Sequence, residues 1–298
     1  MFSTFILILP DFFLIALGWL LYRSQWLPRH FFNYAEQLVY YVFFPALLFY
    51  SVTQNPLTFA EISKLGLAVL SLTVVGVVFA YLAKPFIRPE KRKFSAVAQC
   101  CYRFNTYIAM SIAFAINGQA GLSIVALFVA ISVPIVNVVA VYTLAQHAES
   151  RLFIALIKNP LILATLGGLI WNVTNFSMPE AFNITLNRLG ASALPLGLLC
   201  VGASLTLQAI HGAKALISWV LSVRLVLMPL AALAINAIYP LSAMEKQMLL
   251  LFAAVPTAPA SYVLAVRMGG DGALVALTLS LSTLLAAITL PLWMMIQY

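Results

Sequence analysis

Ten stretches of about 20 mostly apolar residues follow one another through this chain of 298 residues, separated by short polar interruptions. In lipid no water satisfies the backbone, so a stretch that spans must hydrogen-bond within itself as a helix. Spans are expected at about 2–22, 33–53, 62–83, 95–116, 121–145, 160–176, 184–206, 214–239, 247–267 and 272–296. Glycine, proline and charge punctuate them, as in RSQWLPRH, TQNPLTFAE, RPEKRK, NGQAG and PLSAMEK. With 63% hydrophobic residues, 8% charged residues and a mean hydropathy of +1.03, a water-soluble core is excluded. The expected class is an all-α membrane protein, with no room for a separate soluble domain. The first span lacks a basic leader and an A-x-A-like cleavage site, so it is read as retained.

The chain also nearly repeats itself. Leu14, Leu17, Gly18 and Leu20 recur as Leu163, Leu166, Gly167 and Leu169, an offset of 149. Pro45 matches Pro195 at 150, and Ala113, Gly118, Leu122 and Leu127 match Ala265, Gly270, Leu274 and Leu279 at 152. The expected organisation is two five-helix repeats, 1–146 and 147–298. An odd number of crossings per copy makes the second enter from the opposite face, the inverted repeat found in many secondary transporters.

The net charge of +8 reports topology rather than nucleic acid. Arg23, Arg29, Lys84, Arg88, Lys91, Arg92, Lys93, Arg151, Lys158, Lys214 and Arg267 fall in alternate loops, while the other face holds only Lys64, Arg188 and Lys246. The positive-inside rule makes the first face cytoplasmic and puts both termini outside. Cys100, Cys101 and Cys200 sit in expected spans without metal-ligand spacing and are read as packing residues; no metal or cofactor is expected. Asn172, Asn175 and Asn183 begin N-x-S/T patterns that chance accounts for. His30, His147 and His211 fall in expected loops, and no G-x-S-x-G or H-E-x-x-H pattern occurs, so an intramembrane enzyme is disfavoured. A channel is disfavoured for want of a ring of charged pore residues.

The segments LVYYVFFPALLFYSV (38–52), KNPLILATLGGLIW (158–171), ALPLGLLCVGASL (193–205), PTAPASYVLA (256–265) and SLSTLLAAITLPLW (280–293) resemble the auxin efflux carrier family, which includes compact bacterial transporters alongside the plant PIN proteins. The resemblance runs over essentially the whole chain. It implies ten spans in two inverted five-helix repeats, a scaffold domain, and a transport domain whose broken helices 4 and 9 cross near the midplane. It further implies an organic-anion substrate and contacts between subunits, hence a homodimer in a bacterial inner membrane.

The residues around the expected breaks carry the candidate site. Pro256 and Pro259 flank Thr257 and Ala258 in span nine; each proline removes a backbone donor and clashes with the preceding turn, so the helix opens there. The half-helix that follows offers N–H groups to an anion, with hydroxyls on Thr257 and Ser261 beside them. A proline kink absorbed by packing is the competing reading. In span four, Asn105 aligns with Thr257 and Thr106 with Ala258, and both suit the start of a second half-helix. The resemblance makes Asn105 the crossover asparagine, although the glycine and proline usual after it are missing from Ala109–Ala113.

Arg103 and Arg224 lie within spans, roughly ten residues or about 15 Å from the cytoplasmic edge, where an ionisable group is a functional candidate. Arg103 either holds a carboxylate directly or satisfies carbonyls at the crossover; Arg224 either contacts the anion directly, snorkels or pairs with a neighbour. Asn137, after Pro134 in span five, is a further candidate for substrate contact or for an interhelical hydrogen bond. Asp11 aligns with Pro160 and is expected in the first turn of a helix, with a coupling role as the alternative. Pro45 and Pro195 are expected to kink scaffold helices, and Trp19, Trp26, Tyr40, Tyr41, Trp171 and Trp293 to anchor at interfaces. The leading function is a secondary transporter of an organic anion by elevator-like alternating access; a sodium- or proton-coupled symporter of the same fold is the alternative.

Overall fold

The computed structural model describes residues 2–54, 59–144, 160–174, 178–205 and 213–296. Arg151, Lys158, His147, His211 and Asn175 of the expected loops lie outside the described residues. Among those described the chain is helical, without strands: α1 (Phe2–Arg23), α2 (Arg29–Leu38), α3 (Phe44–Gln54), α4 (Phe59–Ile87), α5 (Lys91–Val97), α6 (Gln99–Tyr102), α7 (Thr106–Leu144), α8 (Pro160–Thr174), α9 (Glu180–Ser204), α10 (Lys214–Ser222), α11 (Met228–Ile238), α12 (Ala243–Ala254), α13 (Ala260–Arg267) and α14 (Gly272–Met295). Among the described residues six helical stretches are long and apolar enough to cross a membrane: Arg29–Gln54, Glu61–Ile87, Lys91–Leu144, Glu180–Ser204, Lys214–Ile238 and Gly272–Met295.

The helices start and bend where local chemistry dictates. Ser242 opens α12 with a capping box: its hydroxyl accepts from the Glu245 N–H at 3.3 Å, and the Glu245 carboxylate accepts from the Ser242 N–H at 2.6 Å. Asp271 caps α14 by accepting from the Leu274 N–H at 3.0 Å. Inside α7 the backbone leaves the helix at Asn117 and Gly118, where φ of +55° at Gly118 favours a residue without a Cβ. The expected boundary between spans four and five falls at this kink. A π turn at Val39–Phe43 precedes Phe44-Pro45, and a second at Val223–Leu227 precedes Met228-Pro229. The wider turn accommodates a ring that would clash with an α turn. Pro195, by contrast, lies within an uninterrupted α9.

Two compact units divide the chain, and each draws on both halves of the sequence. Unit 1 comprises Met1–Gly66, Tyr107–Ile131 and Phe153–Ala203. Within it α1 and α9 touch through glycines: a Cβ on Gly18 would run into the Leu199 carbonyl, and one on Gly202 into the Ile15 carbonyl. Phe49 of α3 meets Trp171 of α8 edge-on at 6.2 Å, and Val52 fills the space beside Gly168. Phe32, Ala35, Cys200 and Ala203 form a buried cluster closed by Leu21, Leu27 and Leu196, and Arg29 donates to the Ala203 carbonyl at 2.7 Å. The packing reading of Cys200 fits this place.

Unit 2 comprises Leu67–Thr106, Ser132–Leu152 and Ser204–Tyr298. Its helices are tied by side-chain bonds across the apolar contacts: Thr73 with Ser132 at 3.2 Å, Tyr81 with Thr143 at 2.8 Å, and Trp219 to the Phe79 carbonyl at 3.0 Å. Pro229 gives no N–H to the Leu225 carbonyl four residues back; the indole N–H of Trp293 donates to that oxygen at 2.8 Å. The indole N–H of Trp293 therefore serves the interior. Trp26 is 80% exposed, as an anchor would be.

The glycine contacts of unit 1 are testable. Gly18→Ala and Gly202→Ala each force a methyl group into a backbone carbonyl and are expected to cost about 1–3 kcal/mol, read as a lower unfolding midpoint in detergent. Gly66→Ala meets only the flexible end of Ile131, at 3.2 Å, and is expected to be near neutral.

Candidate functional site

In unit 2 two helices are interrupted, and the interruptions touch. The first helix ends at Tyr102; Arg103, Phe104 and Asn105 leave the helix, with Arg103 extended at φ −82° and ψ 142°, and α7 begins at Thr106. The second ends at Ala254, runs non-helically through Val255–Ala258, turns at Pro259 and resumes at Ala260. The Asn105 N–H donates to the Pro256 carbonyl at 2.8 Å. One freed carbonyl of the second break is thus satisfied by a freed donor of the first.

The two prolines account for the rest. In a continuous helix residue 256 would donate to the Phe252 carbonyl and residue 259 to the Val255 carbonyl; proline has no N–H, so both oxygens lose their partner. Arg224 restores both. Its Nε donates to the Val255 carbonyl at 2.7 Å and one Nη to the Phe252 carbonyl at 2.9 Å. Arg224 sits in the π turn ahead of Pro229, is 1% exposed, and has no carboxylate bonded to it among the described residues. Arg224 satisfies carbonyls at the crossover, a role weighed for Arg103, and the alternative that Arg224 snorkels is corrected.

Arg103 is held elsewhere in the same unit. Its guanidinium donates to the Asn137 side-chain oxygen at 2.8 Å and to the Gln99 side-chain oxygen at 3.2 Å. Gln99 in turn donates its amide to the carbonyls of Ala96 at 3.0 Å and Ser261 at 3.1 Å. This relay stitches α6, α7 and α13 together around the breaks. Gln99 escaped the sequence reading, although it lies one helical turn before Arg103, where side chains meet.

Asn105, Thr257 and Ser261 are fully buried, and the Thr257 and Ser261 hydroxyls have no hydrogen-bond partner beyond the thiol of Cys100 beside them. Two unused hydroxyls near the start of α13, with buried guanidinium groups nearby, form an anion-compatible lining: donors, positive charge and a helix N-terminus. The structure thus gathers Arg103, Asn105, Thr106, Asn137, Arg224, Pro256, Thr257, Pro259 and Ser261 in unit 2. Asp11 belongs to unit 1. It lies well inside α1, because the helix already runs from Phe2, which corrects its first-turn reading.

A family model described as "Membrane transport protein" matches residues 145–294, half of the chain. The chain belongs to that family. This is the auxin efflux carrier family that the motifs resemble, and its members are integral membrane transporters rather than enzymes. A Rhizobium meliloti (strain 1021) protein named "Putative malonate transporter" is 25% identical over 302 residues, covering 95% of this chain and 92% of that protein. A Methanothermobacter thermautotrophicus protein named "Uncharacterized transporter" is 29% identical over 144 residues, covering 48% of this chain and 47% of its own length. The family match spans Arg224 and the whole second interruption, whereas the first interruption lies before it.

Gln99→Leu removes an acceptor from Arg103 and a donor from two buried carbonyls. It is expected to cost about 2–4 kcal/mol, measured by thermal unfolding in detergent. Ser95→Ala, four residues earlier and bonded only to the Arg92 carbonyl on an exposed turn, is expected to stay within about 0.5 kcal/mol of the parent.

Proposed function

We propose that this membrane transport protein is a secondary transporter that carries a small carboxylate by elevator-like alternating access. The observation that carries the reading is the meeting of two interrupted helices at the Asn105–Pro256 hydrogen bond. Non-helical backbone at membrane depth is tolerated where protein or a water-filled cavity surrounds it, and paired broken helices at a midplane site are a recurring transporter device.

Ten spans in two inverted five-helix repeats, 1–146 and 147–298, suit the described helices. Beyond the six candidate spans, Lys91–Leu144 has 54 residues, enough for two crossings. α1, α8 and the broken pair α12 and α13 supply the others. On this reading helices 4 and 9 cross, the faces rich in lysine and arginine are cytoplasmic, both termini are outside, and the protein sits in an inner membrane as a homodimer.

Arg103, Asn137, Asn105, Thr106, Thr257 and Ser261 are proposed as the substrate-facing groups, with Pro256 and Pro259 shaping the segment. A carboxylate oxygen accepts from hydroxyl, amide and guanidinium donors at once, which a neutral solute of similar size does not need. Malonate, named for the Rhizobium meliloti relative, is the first substrate to test because a dicarboxylate engages donors from both breaks. Coupling to an ion gradient is a second reading, favoured by the Asp11 carboxylate buried in unit 1.

Protein reconstituted in liposomes is expected to show saturable malonate flux, lowered at least about tenfold, or about 1.4 kcal/mol, by Asn105→Ala and by Pro256→Ala at equal protein content. Flux unchanged by both substitutions would reject the site. A thermal-shift panel of mono-, di- and tricarboxylates is expected to stabilise the protein most with its substrate class, since a ligand of the folded state raises apparent stability.

A further inference from the structure

Asp11 is poorly suited to its surroundings. It lies midway along an apolar helix, is 6% exposed, and its carboxyl group has one hydrogen-bond partner, the Ser111 hydroxyl, which donates to Oδ1 at 2.6 Å. Oδ2 is buried without a partner. An ionised carboxylate in such a place, with no cation beside it, is costly and takes up a proton instead. A short O–H to carboxylate bond, however, selectively supports the ionised form. One oxygen of the carboxyl group is thus held by Ser111 and the other is open to a proton.

Ser111 is also the way in. Its side chain lines a cavity of about 250 Å³ within unit 1, together with Leu14, Leu47, Gln119, Asn187 and Pro195. That is room for several water molecules at about 30 Å³ each, among three polar side chains. Ser51 donates to the Gln119 side-chain oxygen at 3.2 Å, fixing that amide at the cavity wall.

Among the described residues of unit 1 no other charge is bonded to the carboxyl group. On α1 the nearest charged residue is Arg23, and α7 between Tyr107 and Ile131 carries no charged residue. The Gly18–Leu199 and Ile15–Gly202 contacts pack α9 against α1. The charged residues of α9, Arg188 and Glu180, are exposed, and among the described residues neither is bonded to Asp11. On α2, Glu36 interacts with Arg29, at the end of unit 1 where Phe32 packs on Cys200; α3 has only Tyr50 as a titratable group.

We propose that Asp11 is a proton-binding site, loaded from this cavity through Ser111. A hydronium in the cavity gives a proton to Ser111 Oγ while the Ser111 hydroxyl proton passes to Asp11 Oδ1, leaving water and a neutral carboxylic acid; unloading is the reverse. Sodium fits poorly, because a cation of that size needs several oxygens and Oδ2 stands alone. That the bound proton drives anion movement rests on the carboxylate-transport reading; that the proton binds does not.

Infrared difference spectroscopy of the full-length protein in detergent, without substrate, tests the binding. The wild type minus Asp11→Asn spectrum is expected to contain the carbonyl stretch of a protonated carboxyl group that vanishes as pH rises, and Ser111→Ala, which removes support for the anion, moves that disappearance to higher pH. Asn keeps the shape and an acceptor for Ser111, so Asp11→Asn is expected to fold. In liposomes carrying malonate, accumulation driven by a pH gradient is expected to fall at least tenfold with Asp11→Asn. A difference spectrum without a titrating carboxyl band overturns the site whatever the flux. So does sodium-dependent stabilisation that Asp11→Asn abolishes. A titrating band with gradient-driven malonate accumulation unchanged in Asp11→Asn overturns the coupling alone.

Discussion

The carbonyl oxygens of Phe252 and Val255 face prolines, Pro256 and Pro259, that have no hydrogen to give them, in a protein whose apolar surroundings offer no water in exchange. Arg224 donates to both, at 2.9 and 2.7 Å. One side chain lets the second helix stay open where a bundle of apolar helices would otherwise close it or expel it. The planar fork of the guanidinium suits this task, since its donors are spread in a fixed geometry that a lysine lacks. The Asn105 N–H then meets the Pro256 carbonyl, and the two openings become a single feature.

Around that feature the polar side chains divide their work. Arg103, Gln99 and Asn137 form a relay that holds three helices in register. Thr257 and Ser261 keep unused hydroxyls, and the N-termini of α7 and α13 begin beside the breaks. Hydroxyls left unused in a dry interior cost stability, and such a cost is commonly carried at functional sites. The proposed carboxylate uses them.

What was legible in the sequence was local. The prolines at 256 and 259 break a helix wherever they stand, so the opening of the second helix follows from composition alone. Asn105 and Thr106 marked the first break even without the glycine and proline expected after them. The partners were not legible, because they are tertiary: nothing near Arg224 in sequence says that its guanidinium meets carbonyls 28 and 31 residues farther on. The same holds for Trp293, whose indole reaches the Leu225 carbonyl orphaned by Pro229. Asp11 was misplaced for another reason. Its first-turn reading was carried over from the helix start expected at Pro160, whereas α1 already runs from Phe2.

The dependence of the open segment on Arg224 can be measured with a double-mutant cycle in thermal or denaturant unfolding. Arg224→Met is expected to cost about 2–6 kcal/mol in the parent, since two buried carbonyls lose their donor. In a Pro256→Ala, Pro259→Ala background, where backbone N–H groups return to those oxygens, the same change is expected to cost at least about 1 kcal/mol less. An equal penalty in both backgrounds would contradict the account, because Arg224 would then stabilise the protein independently of the carbonyls that the prolines free.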